Sequence, residues 1–204
     1  PEEPGGMELV GQARELCTVS IAHTTAGYDQ AKEAFDAGIT HATHLFNAMS
    51  GLHHRKPGVV GAVFDDERVN AELICDGHHL HPAVLRTAFR LLGDRAVVVS
   101  DSMRANGMAE GESFDLGGQM VTVRGGLATL EDGTIAGSVT NLHQEVKNLV
   151  SYGVPFEQAV KAATLTPAKA IGLEGEIGSI EPGKRADLVV LDKDLEIVAV
   201  YHEN

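Results

Sequence analysis

Positive charge is scarce in this sequence. Its 204 residues carry 16 Lys and Arg against 29 Asp and Glu, a formal net charge of −13. Nucleic acid and anionic membranes both need a cationic face, so neither is an expected partner. Cysteine is almost absent, with only Cys17 and Cys75. Each falls in a strand-like apolar run, which implies no disulfide framework and suits a reducing, cytoplasmic compartment. Long hydrophobic runs are missing as well. None approaches the ~18–20 residues that span a bilayer, and no signal peptide is visible. What remains is ordinary globular material, 43% hydrophobic and 22% charged with 23 Gly, and it is long enough to bury a core. The chain opens on Pro1 rather than Met, with an acidic Pro/Gly-rich lead-in. That opening reads as the continuation of a preceding segment of the gene product.

The hydrophobic pattern repeats a unit of strand, polar residues and helix. Helices are expected over 7–14, 29–37 and 82–92, strands over 16–22, 39–45, 69–75 and 95–100. Gly38 and Gly93 stand where helix-ending caps belong, and Pro82 suits a first turn. A His-rich loop is expected to follow the 39–45 strand and run through Gly61. Such a rhythm predicts a parallel sheet with right-handed crossovers, either a (β/α) barrel or a doubly wound sheet. Residues 114–136 break it with Gly-rich turns that read as small antiparallel hairpins. Leu142, Val146, Leu149 and Val150 give the next segment a helical apolar face. A further helix over 156–171 is expected to break near Thr166-Pro167. The end of the chain changes to turn and strand, a separate small β unit.

Four chemically active side chains fall at the C-terminal ends of predicted strands: His23, His44, His79 and Asp101. In a parallel barrel that end carries the chemistry. Two neutral imidazoles from adjacent strands are natural ligands for a borderline divalent metal such as zinc. A carboxylate nearby could take a proton from a water activated there. Taken singly, each has a plainer reading: a loop cap for His23, an interior histidine for His44, a turn cap for Asp101 and surface exposure for His79. Their joint occurrence at equivalent positions favours a site. His53-His54-Arg55-Lys56 is a cationic island in an acidic protein, either a solvated loop tip or a phosphate grip.

These residues lie within longer motifs: Thr43-His-Leu-Phe-Asn-Ala-Met49, Arg55-x-Pro-Gly58, Asp76-Gly-x-His79, Val99-Ser-Asp101, Gly133-Thr-Ile-Ala-Gly-Ser138 and a Gly-Ser-Ile-Glu-Pro-Gly-Lys-x-Ala-Asp-Leu tail. Together they closely resemble the N-acetylglucosamine-6-phosphate deacetylases of the amidohydrolase superfamily, over nearly the whole chain. The tail is generic to the superfamily and the 43–49 stretch is specific to this family. The resemblance implies an α/β fold: the C-terminal part of a (β/α)8 TIM-like barrel over 1–175, plus part of a small β-sandwich over 176–204. It implies His23 and His44 as metal ligands and Asp101 as the catalytic carboxylate. It implies Asn47, Ala48, Arg55 and His79 as substrate contacts, with Ile135, Ala136 and Gly137 in a loop covering the sugar. The implied cofactor is one or two divalent ions, zinc first, with iron, cobalt or manganese as alternatives. The implied reaction is hydrolysis of the acetamide of N-acetyl-D-glucosamine 6-phosphate in a homodimeric enzyme.

Two departures from that pattern stand out. The family's third metal ligand is a glutamate on an earlier strand, and its two-metal members use an earlier His-x-His pair; this sequence contains neither. Glu2 and Glu3 lie in a lead-in with nothing to fix them. A complete barrel takes roughly 250 residues, so the chain is expected to be a C-terminal portion, inactive without the N-terminal half of the same polypeptide. Competing readings are a dihydroorotase-like or amino-acid-deacylase amidohydrolase, and a non-catalytic sugar-phosphate-binding remnant.

Overall fold

The computed structural model describes residues 1–202. Four parallel strands form its central sheet, in the order β1 (Val19–Ile21), β2 (Ile39–Ala42), β3 (Asn70–Leu73) and β4 (Ala96–Val98). Each is reached through a helix: α1 (Gly6–Ala13) before β1, then α2 (Tyr28–Ala37), α3 (Gly58–Asp65) and α4 (Pro82–Leu92) between the strands. Neighbours in sequence are neighbours in the sheet, the usual order for successive strand-helix-strand units. Ala96, Val97 and Val98 of β4 are all buried, the mark of a strand covered on both faces, whereas β3 buries Ala71 and Leu73 on one face and leaves Asn70 and Glu72 half-buried on the other.

The helices form because their apolar residues recur on one face. Ala31, Ala34 and Phe35 of α2 are buried, as are Leu85, Ala88, Phe89 and Leu92 of α4. Burying side chains such as Leu85 and Phe89 contributes about 1.5–3 kcal/mol each. Pro82 opens α4, and the His81 side chain accepts the Ala83 N–H as its N-cap. Gly38 ends α2 at φ 128°, where an added Cβ would also meet the Arg14 side chain at 2.7 Å.

Beyond β4, an antiparallel meander of β5 (Ser113–Leu116), β6 (Gln119–Arg124), β7 (Leu127–Thr129) and β8 (Ile135–Gly137) closes a small core around Phe114, Val121, Val123 and Ala128. Then α5 (Leu142–Ser151), α6 (Phe156–Ala163) and α7 (Leu165–Ala170) return to the central sheet. The hairpin of β9 (Leu188–Leu191) and β10 (Ile197–Tyr201) is a separate two-stranded sheet.

Three local expectations are corrected. The first strand starts at Val19, because α1 gives way to turns that run through Cys17, which is exposed rather than in a strand. The His-rich loop ends at Pro57, where α3 begins: Val59, Val60, Ala62 and Val63 bury completely, and this continuous apolar run hid a helical period. The break in the 156–171 helix falls at Thr164, not at Thr166-Pro167. Pro167 sits in the first turn of α7, where a missing N–H costs nothing.

Candidate active site

The polar residues at the ends of β1 and β2 are sewn together by main-chain bonds. Thr24 N–H donates to Ala48 C=O at 3.0 Å, and Ser50 N–H donates to Thr24 C=O at 3.2 Å. This brings the His23 and His44 rings edge to face, with centroids 4.8 Å apart. His44 is buried and its Nδ1 has no hydrogen-bond partner. A buried imidazole nitrogen left unpaired costs free energy unless something binds it.

Backbone strain marks the same places. Among the described residues, six non-glycines have positive φ, and His23 (44°), His44 (34°) and Asp101 (45°) are three of them. Phe46 (81°) and Ala48 (51°), in the loop after His44, are two more. Such conformations cost on the order of 1–3 kcal/mol each and persist where the surroundings enforce them. The enforcing bonds are visible. Asn47 donates through Nδ2 to His44 C=O at 3.2 Å, and Leu45 N–H donates to Glu72 C=O at 2.8 Å. Asp101 C=O accepts Ser138 N–H at 3.0 Å, and the Ser138 hydroxyl donates to Ser100 C=O. The end of β8 is thereby tied to Asp101, and a Cβ on Gly137 would lie 3.3 Å from the Asp101 carbonyl oxygen. Gly137 and Ser138 therefore lie beside Asp101, with Ile135 and Ala136 leading up to them along β8.

His79 belongs to a tighter unit. Its Nδ1 meets Asp76 Oδ2 at 2.7 Å, and Asp76 Oδ1 accepts the N–H groups of His78 and His79 at 2.8 and 2.9 Å. Burial would raise the Asp76 pKa, but these bonds override it and hold the carboxyl below its ordinary range. Arg55 stands on an exposed loop. Its N–H is held by His53 Nδ1 at 3.3 Å, and its guanidinium points to no protein acceptor among the described residues.

The two imidazoles suit a borderline divalent ion, and the unpaired His44 Nδ1 is an open donor beside them. The donor set is incomplete, however. Among the described residues, no three His, Cys, Asp or Glu side chains converge closely enough to hold a metal. His79 is occupied by Asp76 and joins no such cluster.

Sequence reasoning passed over Glu72 and Glu145 and set Glu2 aside as unanchored, which the structure corrects. Glu2 is fixed: its Oε2 accepts the Thr24 hydroxyl at 2.6 Å and its Oε1 the Thr25 N–H at 2.7 Å, beside His23. Burial alone would raise its pKa, yet these bonds lower it to about 2. Glu72 accepts from His44 N–H at 3.4 Å and pairs with His41 Nε2 at 3.0 Å. Glu145 is fully buried on α5. The signal for Glu72 was available, since a carboxylate in the middle of an apolar strand needs a partner.

The sequence profile of the amidohydrolase family matches residues 7–203. The chain belongs to that family. This amidohydrolase is 38% identical over 203 residues to an N-acetylgalactosamine-6-phosphate deacetylase of Escherichia coli O157:H7, covering 98% of this chain and 54% of that one. It is 41% identical over 199 residues to an N-acetylglucosamine-6-phosphate deacetylase of Vibrio furnissii, covering 97% and 50%. A solved N-acetyl-D-glucosamine-6-phosphate deacetylase of Mycobacterium smegmatis, in complex with N-acetyl-D-glucosamine-6-phosphate, superposes with a TM-score of 0.93 at 38% identity, covering 99% and 54%. The amidohydrolase chain thus spans about half the length of these relatives. Its α/β architecture, with four parallel strands and intervening helices, is the later part of a TIM-like barrel.

Proposed function

We propose that the full-length protein is a metal-dependent deacetylase of N-acetyl-D-glucosamine 6-phosphate, yielding D-glucosamine 6-phosphate and acetate. The observation that carries this reading is the paired His23 and His44 rings, strained into place with an open nitrogen, on a chain similar throughout to such deacetylases. His23 and His44 would hold a divalent ion, zinc first. When bound, that ion supplies Lewis-acid polarisation of the acetamide carbonyl and a lower pKa for water. Asp101 accepts the proton of the attacking water on its carboxylate and returns it to the departing sugar amine. His79, with its ring fixed by Asp76, contacts the sugar, and Asn47 and Ala48 border it from the β2 loop. Arg55 grips the 6-phosphate through its planar fork of donors, and that remote contact orients the amide. Ile135, Ala136 and Gly137 cover the sugar.

In this reading residues 1–175 are the later barrel and 176–204 the C-terminal strands of a small β-sandwich, in a cytoplasmic homodimer. No helix of the described residues is long and apolar enough to cross a membrane. The similarity to the Escherichia coli relative favours one second substrate, the galactosamine epimer. Acetate release by the full-length protein from the two 6-phosphates and from the two unphosphorylated sugars tests the proposal. Turnover requiring the phosphate supports it, and the faster epimer names the substrate. Equal turnover of phosphorylated and unphosphorylated sugars overturns it.

A further inference from the structure

The fully buried Glu145 is used by none of these steps, although it lies against the segment that carries His79. Its Oε2 accepts the Cys75 N–H, and one turn later on α5 the Asn148 side chain donates to Cys75 C=O at 3.2 Å. One helix thus grips both main-chain polar groups of a single residue. A further turn along, Tyr152 puts its hydroxyl where a Cβ on Gly77 would be. Glu145, Asn148 and Tyr152 follow one another at helical spacing, so this stripe of α5 holds Cys75, Asp76 and Gly77 in register. Asp76 in turn fixes the His79 ring.

The remaining carboxyl oxygen of Glu145, Oε1, is buried and has no partner. A charged carboxylate costs more there than an uncharged acid does. The ionisable groups facing it are Cys75 and Asp76 at the end of β3, Asp101 at the end of β4, and Tyr152 on its own helix. Asp76 and Asp101 are carboxylates, which oppose a third negative charge. On the outer side of α5, His143 and Lys147 are engaged by Leu195 and Glu196, and on α6 Lys161 is engaged by Asp94.

We propose that Glu145 is a positioning residue of the candidate site. It accepts the Cys75 N–H in either state and thereby holds the Cys75–His79 segment; when it ionises, its charge repels the Asp76 carboxylate, which shifts and takes the His79 ring out of its place. The proposal rests on the reading of His79 as a sugar contact only for its effect on turnover, not for its effect on the ring. Burial, followed by the neighbouring carboxylates, lifts the Glu145 pKa from 4.5 to about 8, which sets where the change is seen.

The test is histidine-resolved NMR of the full-length protein from about pH 6 to about pH 9.5, spanning that titration. The His79 ring of the wild type should show an inflection near pH 8. Glu145→Gln keeps an acceptor for Cys75 N–H but cannot ionise, so the inflection should vanish with the ring in its low-pH position. Glu145→Ala should displace the ring at every pH. No inflection in the wild type, or its persistence in Glu145→Gln, overturns the proposal. In a parallel deacetylation assay, Glu145→Gln should exceed the wild type about tenfold in kcat/KM one pH unit above the inflection. A wild type that deacetylates nothing overturns the functional reading instead, and the NMR result still decides the role of Glu145.

Discussion

At the scale of single residues, the site is a set of groups each held where it would not rest alone. Asp101, at φ 45° and pinned through Ser138, is the sharpest case. Asp101→Asn keeps the shape and removes the proposed proton acceptor, so metal content should hold while the deacetylation rate of the full-length protein falls to a few per cent or less. A variant that retains more than that removes Asp101 from the mechanism. Arg55→Ala should raise KM for the 6-phosphorylated sugar far more than for the unphosphorylated one, since a charge-assisted contact is worth about 1.5–3 kcal/mol. Glu145 makes a prediction about stability. With a folded pKa of about 8 against 4.5, the folded chain binds more protons than the unfolded one between those values. Stability should therefore fall as pH rises through that window, by up to about 1.4 kcal/mol per unit. Denaturant unfolding of Glu145→Gln across the window should show a flatter slope, and an unchanged slope would deny the neutral acid. The placement of His23, His44, His79 and Asp101 just beyond the strands was legible in the sequence, because strand-end position and motif spacing single them out. The anchoring of Glu2 and the burial of Glu145 were not, because each depends on partners 22 and 70 residues away.

Among the elements, α3 shows why a sequence pattern can misdirect. A helix buried on most sides has no polar face, so its period disappears into a continuous apolar run. Its C-terminal carbonyls also lack the usual glycine cap. Arg95, just before β4, supplies the missing donors: Nη1 reaches Val63 C=O at 3.0 Å and Val69 C=O at 2.6 Å, and Nη2 reaches Phe64 C=O at 3.2 Å. Its positive charge also suits that end of the helix dipole. Arg95→Ala leaves three acceptors short of a donor and should cost about 2–4 kcal/mol, read as a lower denaturation midpoint. Arg95→Lys should recover only part of that, because one ammonium cannot span both the helix end and the Val69 carbonyl that leads into β3. By contrast, α2 and α4 were readable because each has a one-sided apolar stripe ended by glycine.

At the scale of the whole molecule, the central sheet has two open edges. Among the described residues the outer strands β1 and β4 each pair on one side only, whereas a closed barrel has no edge. The β9–β10 hairpin exposes apolar side chains, with Val198 65% and Val200 63% accessible. Unpaired edges and apolar faces of this kind attract strands from other chains. The metal donors proposed above, His23 and His44, are also two where a catalytic zinc site has three protein ligands and one open position. Barrel closure and the missing donor are therefore linked, because strands that pair with β1 and β4 would carry their own C-terminal ends to the same mouth of the fold. Residues 1–204 alone should bind zinc weakly, self-associate and show no deacetylase activity. Supplying the remaining half of the polypeptide, by co-expression or refolding, should restore a monodisperse assembly, zinc stoichiometry and turnover together. Recovery of a single size by light scattering without a rise in bound zinc would separate closure from ligation and refute their linkage. An active, monodisperse preparation with the mass of these residues alone would refute the whole expectation, and would require a third donor from within the chain, with His79 released from Asp76 as the first to examine.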